Sequence, residues 1–386
     1  MNRLLVLTEL FLPTKGGTAV WAAEVYKRLG GKEIHIVTAD VPGAAAVDTV
    51  HPNSIHRLSL KRVAWLRPES LAMYARFFFK ALILGLTHRF DAIHAFRALP
   101  EGLVAWAVAR LTFCPVVVYA HGEELTTWGR GGKYEAMRFA LRHADHVIAN
   151  SEHTRDTLRE MGIDEARISI IYPGVDVSIF RPGLDVTGLR ENLGIRADER
   201  LVFSVGRLSR RKGFDQVIQA VEHLHAEGIP LRYVIAGVGE DANYLDDLIA
   251  AHHVQHIVHR IGAVSEVDLP RWLNACDVFA MPNREINGDN EGFGMVFIEA
   301  SACGKPCLAG IDGGTAAAVK DGETGLRVNG KDTGAVTSGL RDLIVDPDFA
   351  RQLGEQGRCR VHADFAWERV AEKTTKIDRY NRLIKE

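Results

Sequence analysis

The sequence lacks the features of disulfide-stapled, membrane-spanning and exported proteins. Five cysteines are scattered along 386 residues with no CxxC pair, which is typical of apolar core residues in a reducing compartment and not of a disulfide framework or a zinc site. The longest apolar stretch, residues 71–86, carries Arg76 and Lys80, whereas a membrane-spanning helix needs about 20 mostly uncharged residues. No basic region or cleavage site accompanies the first apolar run at Leu4, so we expect no signal peptide and a cytoplasmic protein.

An excess of charge of either sign is also missing. The 47 Lys and Arg residues nearly balance the 49 Asp and Glu residues, giving a net charge of −2, so nothing global predicts a nucleic-acid partner. Apolar residues make up 47% of the chain and charged residues 25%, as in soluble globular proteins. The length suits two domains of roughly 150–200 residues each.

Short apolar runs alternate with helical patterns in both halves of the chain. In the first half these runs are Leu4–Thr8, Ile34–Thr38, Ala92–Ala95, Val116–Ala120 and Val147–Ala149. In the second half they are Leu201–Val205, Arg232–Ala236, Ile257–Ile261, Val278–Met281 and Pro306–Ala309. The alternation predicts an α/β protein with two doubly wound parallel sheets. We place the domains at residues 1–175 and 176–365, followed by an amphipathic helix in 366–386.

Open parallel sheets bind ligands beyond the carboxyl ends of their strands. We therefore expect the active site in a cleft where these ends of the two domains face each other.

The strongest chemical signal is Glu291-Gly-Phe-Gly-Met-Val-Phe-Ile-Glu299, which follows a predicted strand. Gly292 and Gly294 allow close approach of the backbone to a ligand, and the start of the following helix offers N–H groups suited to phosphate. The two carboxylates can accept hydrogen bonds from sugar or ribose hydroxyls. The alternative is an ordinary helix start with two solvated acids.

A second signal is Gly206-Arg-Leu-Ser-Arg-Arg-Lys-Gly213, again between a strand and a helix. Four cations in six residues beside two glycines suit a diphosphate, because Arg grips phosphate oxygens with a planar fork and Lys supplies a compact charge. A solvated basic loop is the alternative, above all for Arg210 and Arg211.

Two weaker signals lie in the first half. Gly16-Gly17 follows the first strand but departs from the GxGxxG pattern, so NAD and FAD are not predicted. His121-Gly122-Glu123 follows the strand Val116–Ala120, where His121 can hydrogen-bond a substrate hydroxyl. A single histidine is more often structural, and that alternative stays open.

Several motifs recur in a fixed order over nearly the whole chain. They are Tyr172-Pro-Gly-Val-Asp176 with Phe180-Arg-Pro182, Gly206-Arg-Leu208 with Lys212-Gly213, Glu291-x7-Glu299, Gly313-Gly314 and Asp321-Gly-Glu-Thr-Gly325. Together they resemble glycosyltransferase family 4. His121-Gly-Glu123 and Ala149-Asn-Ser151 are similar to the phosphatidylinositol mannosyltransferase branch of bacteria.

The resemblance implies a GT-B fold, in which two Rossmann-like domains face each other across a cleft and the final helix crosses back to the first domain. Arg207 and Lys212 would hold the donor diphosphate and stabilise the charge of the departing nucleotide. Glu299 would bind the ribose, and Glu291 would contact the transferred sugar.

The remaining positions implied by the resemblance are mostly backbone contacts. The amides of Phe293 and Gly294 would lie against sugar and phosphate, and Val264 would border the base. Gly17 would approach the diphosphate from the first domain, and His121 would hydrogen-bond the donor sugar.

The function implied is retaining transfer of a hexose from a nucleotide diphosphate sugar, with GDP-mannose as the leading donor, to a glycan or lipid-linked acceptor. No cofactor is expected. The DxD-type run Asp346-Pro-Asp348 is predicted to be a turn near a late helix, so a metal-bridged diphosphate is not expected either. One departure from the family pattern follows Gly313-Gly314, where Thr315-Ala-Ala317 replaces the usual Pro-Glu.

Other patterns admit competing interpretations. His252, His256 and His259 have helical spacing, but no acid or cysteine completes a metal set. Cations and aromatics between Lys61 and Lys80 suit either a core helix with an exposed loop or a patch on the membrane surface. The alternatives to glycosyl transfer are a nucleotide-sugar epimerase and a non-catalytic nucleotide-sugar-binding protein.

Overall fold

The computed structural model of the chain describes residues 3–14, 16–61, 69–127 and 131–383. The chain divides into two compact units. One consists of the residues up to Pro173 together with those from Trp367 onward, and the other of Gly174–Ala366.

In the described part of the first unit, seven strands form one parallel sheet. The strands are β1 (Leu4–Leu7), β2 (Ile34–Ala39), β3 (Ser54–Leu58), β4 (Ala92–Ala95), β5 (Val116–Ala120), β6 (His146–Ala149) and β7 (Ile168–Ile170). They are arranged in the order β3-β2-β1-β4-β5-β6-β7. The connecting helices are α1 (Gly17–Leu29), α2 (Ala44–Val50), α3 (Leu71–Thr87), α4 (Leu103–Thr112), α5 (Glu123–Thr127), α6 (Gly132–Arg142) and α7 (Glu152–Glu160).

In the second unit, which is described throughout, six parallel strands are arranged in the order β10-β9-β8-β11-β12-β13. The strands are β8 (Arg200–Val205), β9 (Leu231–Ala236), β10 (Val258–Gly262), β11 (Val278–Met281), β12 (Cys307–Gly310) and β13 (Gly325–Val328). The helices are α8 (Phe214–Ala226), α9 (Ala242–Ala251), α10 (Asp268–Ala275), α11 (Met295–Ala302), α12 (Thr315–Ala318), α13 (Thr333–Val345) and α14 (Pro347–Arg360).

The last helix, α15 (Trp367–Leu383), returns to the first unit and packs against α1. Trp367 and Val370 are buried, and the Nε of Arg28 on α1 donates to the Oε1 of Glu368 at 2.9 Å. Helix α15 therefore adds to the first unit a layer that is distant in sequence.

The strands form because their side chains are apolar on both faces of the sheet. Every residue of β1 and of β5 is buried, as expected for a parallel sheet covered by helices on both sides. The order of the strands also fixes where ligands can bind. In each sheet, the first strands in the sequence are added on one side and the later strands on the other. The strand order changes direction between β1 and β4 in the first unit and between β8 and β11 in the second. At such switch points the loops after the strands diverge and leave a crevice.

The predicted class, two parallel-sheet α/β units, is confirmed. Strands β3, β7 and β13 were not predicted, because each is short and largely half-buried and its sequence is not a continuous apolar run. The five cysteines make no disulfide. Over the described ranges, no helix combines the length and apolar character needed to cross a membrane.

Candidate functional site

The loops that follow β8 and β11 touch at the switch point of the second unit. Gly213 closes the first loop with a φ of +77°, and a Cβ added there would lie 2.2 Å from the carbonyl oxygen of Pro282. The N–H of Arg284 donates to the carbonyl of Arg211 at 2.8 Å. Only glycine combines this backbone conformation with so close an approach.

A buried ion pair ties the same loops to α8. The guanidinium of Arg284 donates to both carboxylate oxygens of Asp215, at 3.0 and 2.7 Å. Both residues are less than a tenth exposed, and paired bonds of this kind fix orientation as well as distance. Neither residue was singled out from the sequence, because each lies outside the recognised motifs.

Two cationic side chains of the first loop converge on one carboxylate oxygen of the second loop. The Oε2 of Glu291 accepts hydrogen bonds from the Nζ of Lys212 and, at 2.8 Å, from Arg211. Arg211 also lies 3.2 Å from the carboxylate of Asp289. The side chains of Arg211, Lys212 and Glu291 are 12–13% exposed, so this is a largely desolvated cluster.

The cations set the charge state of Glu291. Burial acts to raise its pKa, but the charges and hydrogen bonds of Lys212 and Arg211 outweigh burial and hold the pKa below its usual value. The carboxylate is therefore ionised at neutral pH and accepts hydrogen bonds only.

The structure shows different partners for the two middle arginines. Arg211 is not a solvated side chain but part of the Glu291 cluster. Arg210 stacks on the ring of Tyr244 at 3.4 Å from its centroid and lies 3.7 Å from Asp241. Residue type and spacing could not separate Arg211 from Arg210, because neither shows which way a side chain points.

Arg207 lies outside this cluster. Its side chain is 70% exposed, and its Nε donates to the Oε2 of Glu240 at 2.9 Å. The structure thus brings Lys212 and Glu291 together, whereas Arg207 forms an ion pair with a different residue, the exposed Glu240.

The start of α11 holds the second half of the Glu291 motif. Gly294 precedes the helix with a φ of +84°, where an added Cβ would meet the ring of Phe297 at 2.6 Å. No side chain caps the first N–H groups of this helix. Phe293 is buried and packs edge-on against Phe365.

Glu299 lies just over one turn into α11. Burial raises its pKa to about 7. Its carboxyl group has no hydrogen-bond or ion-pair partner among the residues that the structure describes.

The glycine pair Gly313-Gly314 packs against the backbone carbonyl of Glu291. A Cβ at Gly313 would lie 2.4 Å from the carbonyl oxygen of Glu291, and the N–H of Gly314 donates to that oxygen at 2.7 Å. Thr315 is buried, and its hydroxyl donates to the carbonyl of Gly310 at 2.7 Å.

The remaining predicted positions in this unit lie apart from the cluster. Val264 is half-buried in the loop between β10 and α10. His252 pairs with Glu222 at 2.7 Å, and His256 pairs with His225 at 3.4 Å. In the described ranges no three His, Cys, Asp or Glu side chains are placed to hold a metal ion.

Asp346, predicted as part of a turn, instead accepts the N–H of Phe349 at 2.9 Å and caps α14. The DxD-type run therefore begins a helix.

In the first unit, Gly17 and His121 both follow strands of the central sheet. Gly17 is the first residue of α1, which has no side-chain cap, and His121 directly follows β5. The Nε2 of His121 lies 2.6 Å from the carbonyl oxygen of Phe96, which only accepts, so Nε2 carries a proton and donates it to this carbonyl.

The backbone of His121 is held on both sides. Its N–H donates to Glu124 at 2.8 Å, and its carbonyl accepts from Asn150 at 2.7 Å. Asn150 is itself fixed by Thr154, whose hydroxyl donates to the amide oxygen at 2.6 Å. The ring packs edge-on against Trp21. Ordered support of this kind is what a residue needs if it is to meet a ligand in one orientation.

Comparison with known proteins assigns both halves of the chain. Residues 15–179 match the model for Glycosyltransferase Family 4, and residues 185–360 match the model for Glycosyl transferases group 1.

Curated relatives agree with these matches. The chain is 30% identical to a GDP-mannose-dependent alpha-(1-6)-phosphatidylinositol monomannoside mannosyltransferase of Mycolicibacterium smegmatis, over 94% of this chain and 95% of that protein. It is 32% identical to a D-inositol 3-phosphate glycosyltransferase of Streptomyces bingchenggensis, over 61% of this chain and 52% of that protein.

Among solved structures, Anabaena Alr3699/HepE in complex with UDP superposes with a TM-score of 0.82 at 20% identity, covering 98% of this chain and 99% of that one. This likeness bears on the fold and agrees with a GT-B architecture. With the motif order and the cluster at the β8–β11 switch point, these matches show that the chain is an enzyme and a member of glycosyltransferase family 4.

Proposed function

We propose that this glycosyltransferase is a retaining mannosyltransferase that uses GDP-mannose and acts on a glycan or lipid-linked acceptor without a metal ion. The observation that carries the proposal is the cluster of Lys212, Arg211 and Glu291 at the switch point of the second unit. The choice of GDP-mannose rests on the mycobacterial relative, whose name includes that donor.

The cluster suits the charge changes of glycosyl transfer. Breaking the bond from sugar to phosphate leaves negative charge on the nucleotide and positive character on the sugar. Preorganised cations and helix N–H groups lower that barrier because they meet charge that grows in the transition state. We assign Lys212 and Arg207 to the diphosphate, with Arg211 as a third cation beside them. Because these cations supply the positive charge, a bridging metal is not required.

The other donor contacts are those that the resemblance to glycosyltransferase family 4 implies. Glu291, ionised and facing Lys212, would accept hydrogen bonds from sugar hydroxyls, and Glu299 would accept them from the ribose. The N–H groups of Phe293 and Gly294 would face sugar and phosphate, and Val264 would border the base.

From the first unit, Gly17 would approach the diphosphate. His121, whose ring is held by the hydrogen bond from Nε2 to Phe96, would hydrogen-bond a hydroxyl of the donor sugar through Nδ1.

Helix α3 supports a peripheral position at the inner face of a membrane, where a lipid-linked acceptor would be presented. Phe79, Ile83 and Leu86 form a stripe at helical spacing and are 60, 57 and 68% exposed, whereas Phe77 points into the core. Half-buried Lys80 lies beside the stripe. Arg62, Trp65 and Arg67, predicted as part of the same patch, lie outside the described residues.

The donor assignment is tested by ligand-dependent thermal stability. GDP-mannose, GDP, UDP-glucose and ADP-glucose are titrated against the wild type, Lys212→Ala and the control Lys320→Ala, which removes a half-exposed lysine of the same unit. At a hundredfold excess over Kd, a ligand that binds only the folded state stabilises it by ~2.7 kcal/mol. We expect GDP-mannose to shift the wild type and the control but not Lys212→Ala. A folded protein that no donor stabilises would contradict the assigned donor site.

The reaction is tested by product analysis. GDP-mannose and phosphatidylinositol monomannoside in detergent micelles, with EDTA present, should release GDP in step with sugar attachment, and NMR should show an α-linkage. An epimerase would keep the sugar on the nucleotide, and a non-catalytic binding protein would release no GDP.

A further inference from the structure

The switch point of the first unit carries a chain of three charged residues that no recognised motif includes. Glu9 follows β1, and Arg97 and Glu101 follow β4, so all three lie at the carboxyl ends of the two strands between which the sheet changes direction. We call this set the Glu9 relay. By the rule for open parallel sheets, this edge is where a ligand of the first unit binds.

The contacts of the relay run from the core outward. Glu101 is fully buried, and its Oε1 accepts the N–H of Glu9 at 2.7 Å. Arg97 donates from one terminal nitrogen to the Oε2 of Glu9 at 2.6 Å and lies 3.4 Å from the Oε1 of Glu101. The side chain of Glu9 is thus held through its backbone and through one carboxylate oxygen.

Packing alone does not explain why these charged groups lie here. Burying a carboxyl group and a guanidinium together is often no better for stability than apolar packing. Here the fully buried Glu101 and the partly buried Arg97 orient one side chain, that of Glu9, which is 29% exposed. The second carboxylate oxygen of Glu9 has no partner among the described residues.

Two further atoms of the relay lack protein partners within the described ranges. The Oε2 of Glu101 and the Nε of Arg97 are buried without a hydrogen bond. Buried polar atoms are nearly always satisfied, so these two enclosed atoms are expected to bind an internal water molecule that completes the network.

The charges of the relay select the chemistry of the ligand. Two carboxylates and one guanidinium sum to a formal charge of −1, which disfavours phosphate at this point. An oriented carboxylate oxygen is a strong acceptor for hydroxyl groups. The relay is also linked to the predicted sugar-binding residue, because the carbonyl of Phe96, next to Arg97, accepts from the ring of His121 at 2.6 Å.

We propose that Glu9 binds hydroxyl groups of a neutral polyol, a sugar or cyclitol ring of the acceptor, and that Arg97 and Glu101 are positioning residues for it. This inference rests on the proposed transferase function and adds to it the acceptor chemistry recognised by the first unit. A phosphate carried by the same acceptor would have to lie away from Glu9.

The test uses the full-length protein saturated with GDP. Binding of myo-inositol and of methyl α-mannopyranoside is followed by saturation-transfer NMR for the wild type, Glu9→Gln, Glu9→Asp and the control Glu160→Gln. The Gln variant keeps size and shape, the Asp variant keeps charge but shortens the reach to Arg97, and the control neutralises an exposed carboxylate of the same unit. GDP binding is measured in the same samples, so failure of the donor site is seen separately.

We expect at least one polyol to bind the wild type and the control, and both Glu9 variants to bind it about tenfold more weakly or worse, as for loss of a hydrogen bond to a charged group. GDP affinity should be unchanged in all four proteins. A wild type that binds GDP but neither polyol, or a Glu9→Gln variant with unaltered polyol affinity, would overturn the proposal. With phosphatidylinositol monomannoside as acceptor, the same variants should raise the acceptor KM more than they lower kcat, whereas a merely structural role would lower thermal stability and leave that KM unchanged.

Discussion

At the scale of single residues, Glu299 is the clearest case of a group whose environment works against its charge. Its folded-state pKa of about 7 exceeds the ordinary value of 4.5 because burial disfavours the ionised form. Between these two pH values the folded state binds more protons than the unfolded state, so stability falls as pH rises through this window and stays reduced above it.

Glu299→Gln should therefore raise the melting temperature at pH 8 and change it much less at pH 5. Differential scanning fluorimetry at the two pH values measures this, with the exposed Glu323→Gln as a control that should show no such pH dependence. Equal shifts for Glu299→Gln at both pH values would contradict the prediction. The lower stability above pH 7 is the cost of burying, just over one turn into α11, a carboxyl group that has no partner among the described residues.

Two glycines with similar φ values make it possible to separate the free-energy cost of a left-handed backbone from that of a steric clash. Gly213 and Gly322 have φ values of +77° and +68°, but only Gly213 lies against another backbone, that of Pro282, while Gly322 has no atom within 4 Å of an added Cβ. Gly322→Ala should cost about 1–2 kcal/mol for the left-handed conformation alone.

Gly213→Ala should cost clearly more than that, because the loops after β8 and β11 must also separate. Urea denaturation of both variants measures the difference, and donor binding should weaken only in Gly213→Ala. Equal losses of stability in the two variants would show that the contact with Pro282 yields easily.

At the scale of elements, the edge of the first sheet carries a group of histidines that acidification should disturb. His56 on β3 lies 3.1 Å from His35 on β2, and the ring of His35 lies 4.4 Å from that of His88, which follows α3. Burial, the charge of Lys80 and the neighbouring histidines lower the pKa of His56 to about 4.

Because the unfolded chain protonates His56 near pH 6.5, it binds more protons than the folded state between about pH 6.5 and 4. Stability should fall as pH falls through that window, and His56→Gln should reduce the fall. The exposed His143→Gln of the same unit is the control and should leave the pH dependence as in the wild type. Melting temperatures at pH 7, 6 and 5 provide the test, and an unchanged slope in His56→Gln would refute it.

Elements differed in how far the sequence could predict them. Buried strands such as β1 and β5 were predictable because both faces are apolar, whereas the residues of β3 are only partly buried and the strand resembles a loop in composition. The motif positions Lys212 and Glu291 were predictable from residue type at strand ends. The role of Arg211 was not, since it depends on which side of a short helical turn faces Glu291.

At the scale of the whole molecule, the topology explains why the motifs could be assigned to sites at all. In both sheets the change of direction occurs between two strands whose following loops hold a cluster of charged side chains. The Gly206–Gly213 loop and the Glu291 motif lie at the second switch point, and the Glu9 relay lies at the first. Separation in the sequence hides the relay, since Glu9 and Glu101 are 92 residues apart.

In the folded enzyme, the four cations of the Gly206–Gly213 loop are paired with carboxylates from neighbouring segments of the chain. Arg207 pairs with Glu240, Arg210 with Asp241, and Arg211 and Lys212 with Glu291. Under the proposed function, a donor would therefore meet cations that already have partners, and its diphosphate would have to exchange places with carboxylates. Long-range attraction then contributes little to the encounter, so the rate of donor association should depend only weakly on ionic strength, and selectivity should arise in the exchange of ion pairs that follows contact.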